Sequence, residues 1–319
     1  MSAEPLYPWL QSHWEFFLER VDQDRMAHAV MLEGPAGSGK YALATAMVAK
    51  LLCSDNQPGA CGQCRSCQLL EGDGAHPDRF VLEPEEDSKV IKVDQIRKLI
   101  DSLSLTTSIS ARKVALINPA DVMNANASNA LLKSLEEPSG DAVLVLVSSD
   151  ANRLPVTIRS RCQSIAISQP DQQQVLNWLE NVSSKPTEEL KIALKAAGGS
   201  PLRAHQYLDS PELDAYQSVS SGLAQLLERP ASASVIASQF GNLEHDDVWR
   251  WISMCVADAI KSRLLGEQSM WTGKVSGLQT KPLLSLQKKA DINRRISASS
   301  VRQDLLLQDW LIRWAEQKF

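Results

Sequence analysis

Five short apolar segments punctuate the first half of the chain, each bounded by charged or turn-forming residues. They are "HAVMLEG" (28–34), "DRFVLEP" (78–84), "KVALIN" (113–118), "AVLVLVSS" (142–149) and "SIAIS" (164–168). Strands that are apolar almost without alternation, separated by helical patterns, predict a parallel sheet covered on both faces. The intervening stretches carry the 3.6-residue period. Helices are expected over Tyr41 to Cys53, over Val93 to Leu105 with Ile96, Leu99, Ile100 and Leu103 on one face, and over Ala125 to Glu137. The last must stop at Glu137-Pro138, because proline disfavours a helical conformation in the residue before it.

Beyond Gln169-Pro170 the strand pattern vanishes. "DQQQVLNWLE", "TEELKIALKAAGG" and "PLRAHQYL" read as three short helices, followed by longer amphipathic stretches to Phe319. A second boundary falls near "LDSPELD" (208–214), where Asp, Ser and Pro interrupt the pattern. The expected division is an α/β domain over 1–168, a three-helix domain over 169–208 and an all-α domain over 209–319. The last segment holds Trp249, Trp251, Trp271, Trp310 and Trp314, five of the eight tryptophans. Trp310 and Trp314 share a helix face with Leu307 and Leu311, which suits both an internal core and a subunit interface.

At 319 residues the chain has room for two or three domains. Its 44% hydrophobic and 22% charged residues exclude disordered and collagen-like classes. The longest apolar runs are too short to cross a bilayer, and the first residues lack the basic-then-apolar order of a secretory signal, so a cytoplasmic protein without membrane partners is expected. A net charge of -5 argues against a broadly basic surface, so any contact with nucleic acid should be local.

Chemistry enters at "LEGPAGSGKYALATAM" (32–47), which holds the G-x-x-x-x-G-K core of a phosphate-binding loop between a strand and a helix. Gly34, Gly37 and Gly39 allow the backbone N–H groups to converge on phosphate oxygens, and Lys40 would reach the terminal phosphates of ATP or ADP. Tyr41 stands where working loops carry the Ser or Thr that ligates Mg²⁺. The acidic strand end that would hold the metal and orient water is absent too: "KVALI" is followed by Asn118-Pro119, and Asp121 comes three residues late. With both halves of the machinery missing, the isolated chain is expected to lack ATPase activity, while nucleotide binding stays open.

Cys53, Cys61, Cys64 and Cys67 fall within "CSDNQPGACGQCRSC" (53–67), spaced C-x7-C-x2-C-x2-C, with turn formers in the long gap. Four thiolates at these spacings close a tetrahedral site of the structural zinc type, and the run lacks the C-x2-C-x2-C-x3-C-P order of an iron–sulfur protein. The segment has few apolar residues with which to bury free thiols, so Zn²⁺ would supply its folding energy.

Arg159 and Arg161 precede the fifth apolar segment. Their spacing suits surface or domain-closing salt bridges; it also suits an arginine supplied in trans to a phosphoryl-transfer site on another subunit.

In chain order, "YPWL" (7–10), "HAVMLEGPAGSGK", the four-cysteine insertion, "HPD" (76–78), "ASNALLKSLEEP" (127–138), "LPVTIRSRC" (154–162) and "GGSPLRA" (198–204) resemble the delta prime family of bacterial DNA polymerase III clamp-loader subunits, members of the AAA+ superfamily. The resemblance covers about the first two thirds of the chain. It implies an AAA+ domain, a helical lid and a helical collar used for oligomerisation. It further implies a non-hydrolysing stator of the replicative polymerase holoenzyme, partnered by gamma or tau ATPase subunits and the delta subunit. The sliding clamp and primer–template DNA would be met through the complex. By this resemblance Arg161 becomes an arginine finger acting in trans, and Arg203 of "GGSPLRA" points at a nucleotide phosphate, shifted by one position by the inserted proline. An active gamma- or tau-like ATPase that tolerates Tyr41 and Asn118 is the alternative. A stand-alone nucleic-acid-binding module is disfavoured by the acidic balance and the lack of a basic aromatic groove.

Overall fold

Helix α1 (Gln11–Asp22) leads into β1 (Ala29–Glu33), and the remaining apolar segments form β2 (Arg79–Leu82), β3 (Val114–Ile117), β4 (Val143–Ser148) and β5 (Gln163–Ala166). All pairings are parallel, in the order β2-β3-β4-β1-β5. This is a computed structural model, and it describes residues 6–72, 75–138, 140–229, 232–266, 268–297 and 301–318. Strand β1 lies between β4 and the edge strand β5, with Leu32 level with Val147 on one side and Ile165 on the other.

The near-continuous apolar character of the strands follows from burial on both faces. Alternate side chains point to opposite sides of a strand. Val30 and Leu32 join Val145 and Val147 in one core layer, beneath Phe17 of α1 and Leu43 and Met47 of α2 (Lys40–Leu52). Met31 joins Leu144 and Leu146 in the other layer. That layer is covered by Ile96 and Leu99 of α4 (Val93–Ser104) and Leu131 of α5 (Ala125–Glu136), while the short α3 (Arg65–Glu71) lies outside it. Helix α5 begins where Asn124 caps the Ala127 N–H and ends one residue before Glu137, as the following proline requires. Helices α6 (Val156–Arg159) and α7 (Gln172–Val182) complete this part.

The chain divides into two compact units: Met1–Ser184 with Ser200–Arg203, and Lys185–Gly199 with Ala204–Phe319. The three helices after the sheet are therefore shared out. Helix α7 packs in the first unit, α8 (Thr187–Ala196) in the second, and α9 (Pro201–Tyr207) starts in the first and finishes in the second.

The second unit continues with α10 (Glu212–Leu226), α11 (Ala233–Phe240), α12 (His245–Leu265), α13 (Thr280–Arg295) and α14 (Gln303–Ala315). All five C-terminal tryptophans are at most 1% exposed within the single chain, so they form its internal core rather than a free interface. Trp310 and Trp314 stack with ring centroids 5.7 Å apart, and their indole N–H groups donate to Leu286 O and Leu223 O at 2.9 and 2.8 Å. Replacing Trp314 with alanine should cost about 3–5 kcal/mol, since it leaves a cavity and an unpaired carbonyl. Chemical unfolding followed through the remaining tryptophans checks this, and an unchanged midpoint would contradict it. No helix among the described residues is long and apolar enough to cross a membrane.

Candidate functional site

Strand β1 ends at Glu33 and α2 starts at Lys40, so the glycine-rich loop lies at the C-terminal edge of the sheet, at the positive end of a helix. Gly37 and Gly39 have φ of +73° and +88°, backbone that other residues rarely adopt. Space forbids side chains as well: a Cβ on Gly37 would lie 2.1 Å from Ser200 Oγ, and one on Gly39 2.6 Å from the Tyr7 ring. Two segments therefore clamp the loop. Trp9 Nε1 donates to Ser38 O at 2.8 Å, in a cluster where Tyr7 stacks on Trp9 and Trp178 meets both edge-on. From the other side Ser200 Oγ donates to Ala36 O at 3.0 Å, and the Leu202 N–H donates to Gly37 O at 3.2 Å. Arg203 is half-buried in this second segment.

Lys40 is folded onto the loop, with Nζ donating to Gly34 O at 2.9 Å and Pro35 O at 2.7 Å. Burial lowers its pKa, and the negative charge of Asp121 partly opposes this. A phosphate entering the loop must draw the amine away from two carbonyls. Beside the loop is a cavity of about 850 Å³ lined by Leu6, Tyr7, Trp14, Tyr41, Leu70 and Leu202, within the size range of small-ligand sites.

The metal and water ligands of a hydrolytic site are missing at both expected places. Tyr41 is exposed on the first turn of α2. Asn118, at the end of β3, spends its amide on Glu83 Oε1 at 3.4 Å, and Pro119 follows. Asp121 departs from what its spacing suggests. A 3-10 turn at Ala120–Val122 tucks its carboxylate under β4, where it accepts the Ser149 N–H at 3.0 Å and lies close enough to act on the Lys40 charge. Counting along the chain could not find it, because the turn, not the strand, carries it back.

Arg161 sits just before β5, at the N-terminal edge of the parallel sheet, whereas the loop follows β1 at the C-terminal edge. Its Nη2 pairs with Glu136 Oε1 at 2.6 Å and its Nη1 donates to Thr157 O at 3.1 Å, with 36% of the side chain exposed. Arg159 bonds Asn152 Oδ1 at 3.5 Å through Nη1, while its buried Nε has no hydrogen-bond partner among the described residues. The structure thus gathers Gly34, Gly37, Gly39, Lys40 and the Arg203 segment at one edge and leaves Arg161 at the other.

The four cysteine sulfurs lie within 4.8 Å of one another. Cys53 and Cys64 Sγ are 4.0 Å apart, and Cys61 and Cys67 Sγ 3.9 Å, far beyond a disulfide. A tetrahedral site with Zn–S bonds of about 2.3 Å needs sulfurs about 3.8 Å apart, so the set fits. Backbone N–H groups point at the sulfurs: Asp55 and Cys61 to Cys53, Cys64 to Cys61, and Cys67 to Cys64. Lys50 Nζ holds the long gap by donating to Asp55 O at 3.1 Å and to Gln57 O. Burial opposes charge on Cys64, yet donors from Ser54 and Cys67 outweigh it and bring the thiol down to about 6. Burial, with the neighbouring cysteines, pushes Cys67 up to about 12, so its thiolate would be favoured by the charge of a bound divalent cation.

The family model for DNA polymerase III, delta subunit, matches residues 9–171. The chain is 37% identical to DNA polymerase III subunit delta' of Pseudomonas aeruginosa over 97% of each chain. It is 28% identical to the Escherichia coli subunit delta' over 96% of this chain and 94% of that one. Among solved structures, a DNA polymerase III gamma subunit-related protein from Thermotoga maritima superposes with a TM-score of 0.51, covering 96% of this chain and 99% of that one at 16% identity. That last likeness is one of fold.

Proposed function

Because the chain belongs to the delta' family of DNA polymerase III subunits, we propose that it is the non-hydrolysing subunit of a bacterial clamp loader, acting in the cytoplasm beside gamma or tau ATPase subunits and a delta subunit. The observation that carries this reading is the pairing of an intact phosphate cradle with Tyr41 and Asn118-Pro119 at the two places where metal and water would be held. Binding energy without those ligands supports a nucleotide but not its hydrolysis.

The catalytic contribution is made elsewhere. Arg161, at the sheet edge opposite the chain's own loop and partly exposed, acts on ATP bound by a neighbouring subunit. The helices after the sheet form the lid and those beyond residue 208 the collar that joins the subunits, and the assembly carries the sliding clamp to primed DNA. Cys53, Cys61, Cys64 and Cys67 hold a structural Zn²⁺, which would fold the 53–67 segment and take no part in turnover.

The loop reading is tested by ATP turnover in the isolated chain and in the assembled loader, each with and without Lys40→Ala. No turnover above blank is expected from the isolated chain, and no change in the loader's rate from the substitution. Turnover by the isolated chain that disappears with Lys40→Ala would instead establish a gamma-like ATPase. Equilibrium dialysis with ADP reports separately on whether the cradle holds a nucleotide.

A further inference from the structure

The "HPD" run stands outside the site described above, and while Pro77 is exposed, its two polar side chains are buried: His76 is 5% exposed and Asp78 0%. Its hydrogen bonds run in one direction. The Asp78 N–H donates to His76 Nδ1 at 3.1 Å, so the imidazole is neutral with its proton on Nε2. Burial favours that neutral form, lowering the His76 pKa against the charge of Asp78. Nε2–H then donates to Ser66 Oγ at 2.7 Å, leaving the Ser66 proton for Ser110 Oγ at 3.2 Å and the Ser110 proton for Leu52 O at 3.0 Å. Every proton in the chain of groups has an acceptor. The Asp78 carboxylate fixes the turn that carries Ser110, accepting the N–H groups of Ser108, Ile109 and Ser110 at 2.8, 2.8 and 2.9 Å, and the Asp78 carbonyl accepts Val114 N–H at the start of β3.

This relay meets the cysteine cluster at two points. Ser66 immediately precedes Cys67, and Leu52 immediately precedes Cys53, so the relay joins the residues flanking the first and fourth cysteines. We propose that His76, Ser66 and Ser110 are positioning residues for the four-cysteine metal site: they fix the separation of Cys53 and Cys67 and tie the site to the sheet, without touching the metal. This inference builds on the reading of the cluster as a zinc site. The cluster has few apolar neighbours of its own to hold that geometry, and outer-shell partners of metal ligands are worth about 10–100-fold in affinity.

The test measures zinc content and the rate of zinc transfer to a chromophoric chelator in the full chain and in Ser66→Ala, Ser110→Ala, His76→Ala and His76→Gln. Zinc loss about 10-fold faster or more is expected from the three alanine variants. His76→Gln keeps a donor at the Nε2 position and should recover most of the difference. Cobalt-substituted protein adds a spectroscopic readout: the d–d and thiolate charge-transfer bands should shift in the alanine variants and return towards wild type in His76→Gln. If His76→Ala fails to fold, the two serine variants decide, since each removes a single hydroxyl. Folded variants that release zinc at the wild-type rate with unshifted cobalt bands would overturn the proposal. Wild-type chain that binds no zinc would instead remove the metal site itself.

Discussion

Replacing Arg161 with alanine is expected to leave this chain folded and, in the finger role proposed for it, to slow ATP turnover at the neighbouring site by about 10³-fold or more, within the 10³–10⁵ range known for arginine fingers. The asymmetry comes from where the guanidinium sits. Its partner in the single chain is Glu136, half-exposed at the end of α5, and a solvent-exposed pair of this kind contributes about 0–1 kcal/mol to stability. In the proposed role the same group would face phosphate oxygens in a closed interface, where charge grows in the transition state and a fixed donor fork counts far more. Arg161→Lys should recover only part of the rate, because an ammonium lacks the planar fork. Glu136→Gln should not slow the loader, since it only releases the arginine from its parked position. The measurement is DNA-stimulated ATPase and clamp loading by the reconstituted complex. Unchanged turnover with Arg161→Ala would end the finger assignment.

Loss of the proposed Zn²⁺ should produce the largest effect on the fold. Cys67→Ser, or a strong chelator applied to the wild-type chain, is expected to reduce zinc from one per chain to near none and to unfold the segment from Cys53 to the end of α3. Apparent binding energies of structural zinc in small peptides are about 10–16 kcal/mol, far more than this short polar segment can recover by packing. Cys67 is the ligand to test because it is buried and its thiol is pushed up to about 12 without a cation. In the proposed site its ionisation would therefore depend on the bound cation. The sheet should survive, because its two core layers are built from residues of the strands, α1, α2, α4 and α5. Elemental analysis, circular dichroism and limited proteolysis distinguish the outcomes: cleavage confined to the cysteine segment is expected, and a zinc-free wild-type chain with the segment protected would refute the assignment.

Much of the α/β part was legible because its determinants are local. Residues 30 and 32 face one core layer and 31 the other, so burial on both sides writes itself into the sequence as an unbroken apolar run. The helix face of Ile96, Leu99, Ile100 and Leu103 was readable for the same reason: Ile96, Leu99 and Leu103 are buried, and Ile100 is partly buried against the same layer. The tryptophans were only half legible. Their period placed Trp310 and Trp314 on one face, but an apolar face looks the same whether its partner is α10 and α13 of the same chain or another subunit; only the packed helices decide for the internal core.

The candidate site divides in the same way. Glycines at Gly37 and Gly39, a lysine at Lys40, and the absence of a Ser or Thr hydroxyl at Tyr41 and of a carboxylate at Asn118 are properties of residue type and spacing, and the sequence alone determined them. It also determined that four thiols lie close enough along the chain to share one ion. What it could not contain is the set of contacts made between residues far apart in the chain: Ser200 and Trp9 clamping the loop, Asp121 returning beneath β4, Glu136 holding Arg161, and His76 reaching through Ser66 and Ser110 to Leu52. Those are short-range polar interactions, which leave no period in the sequence and exist only once the hydrophobic layers have brought distant segments to within about 3 Å.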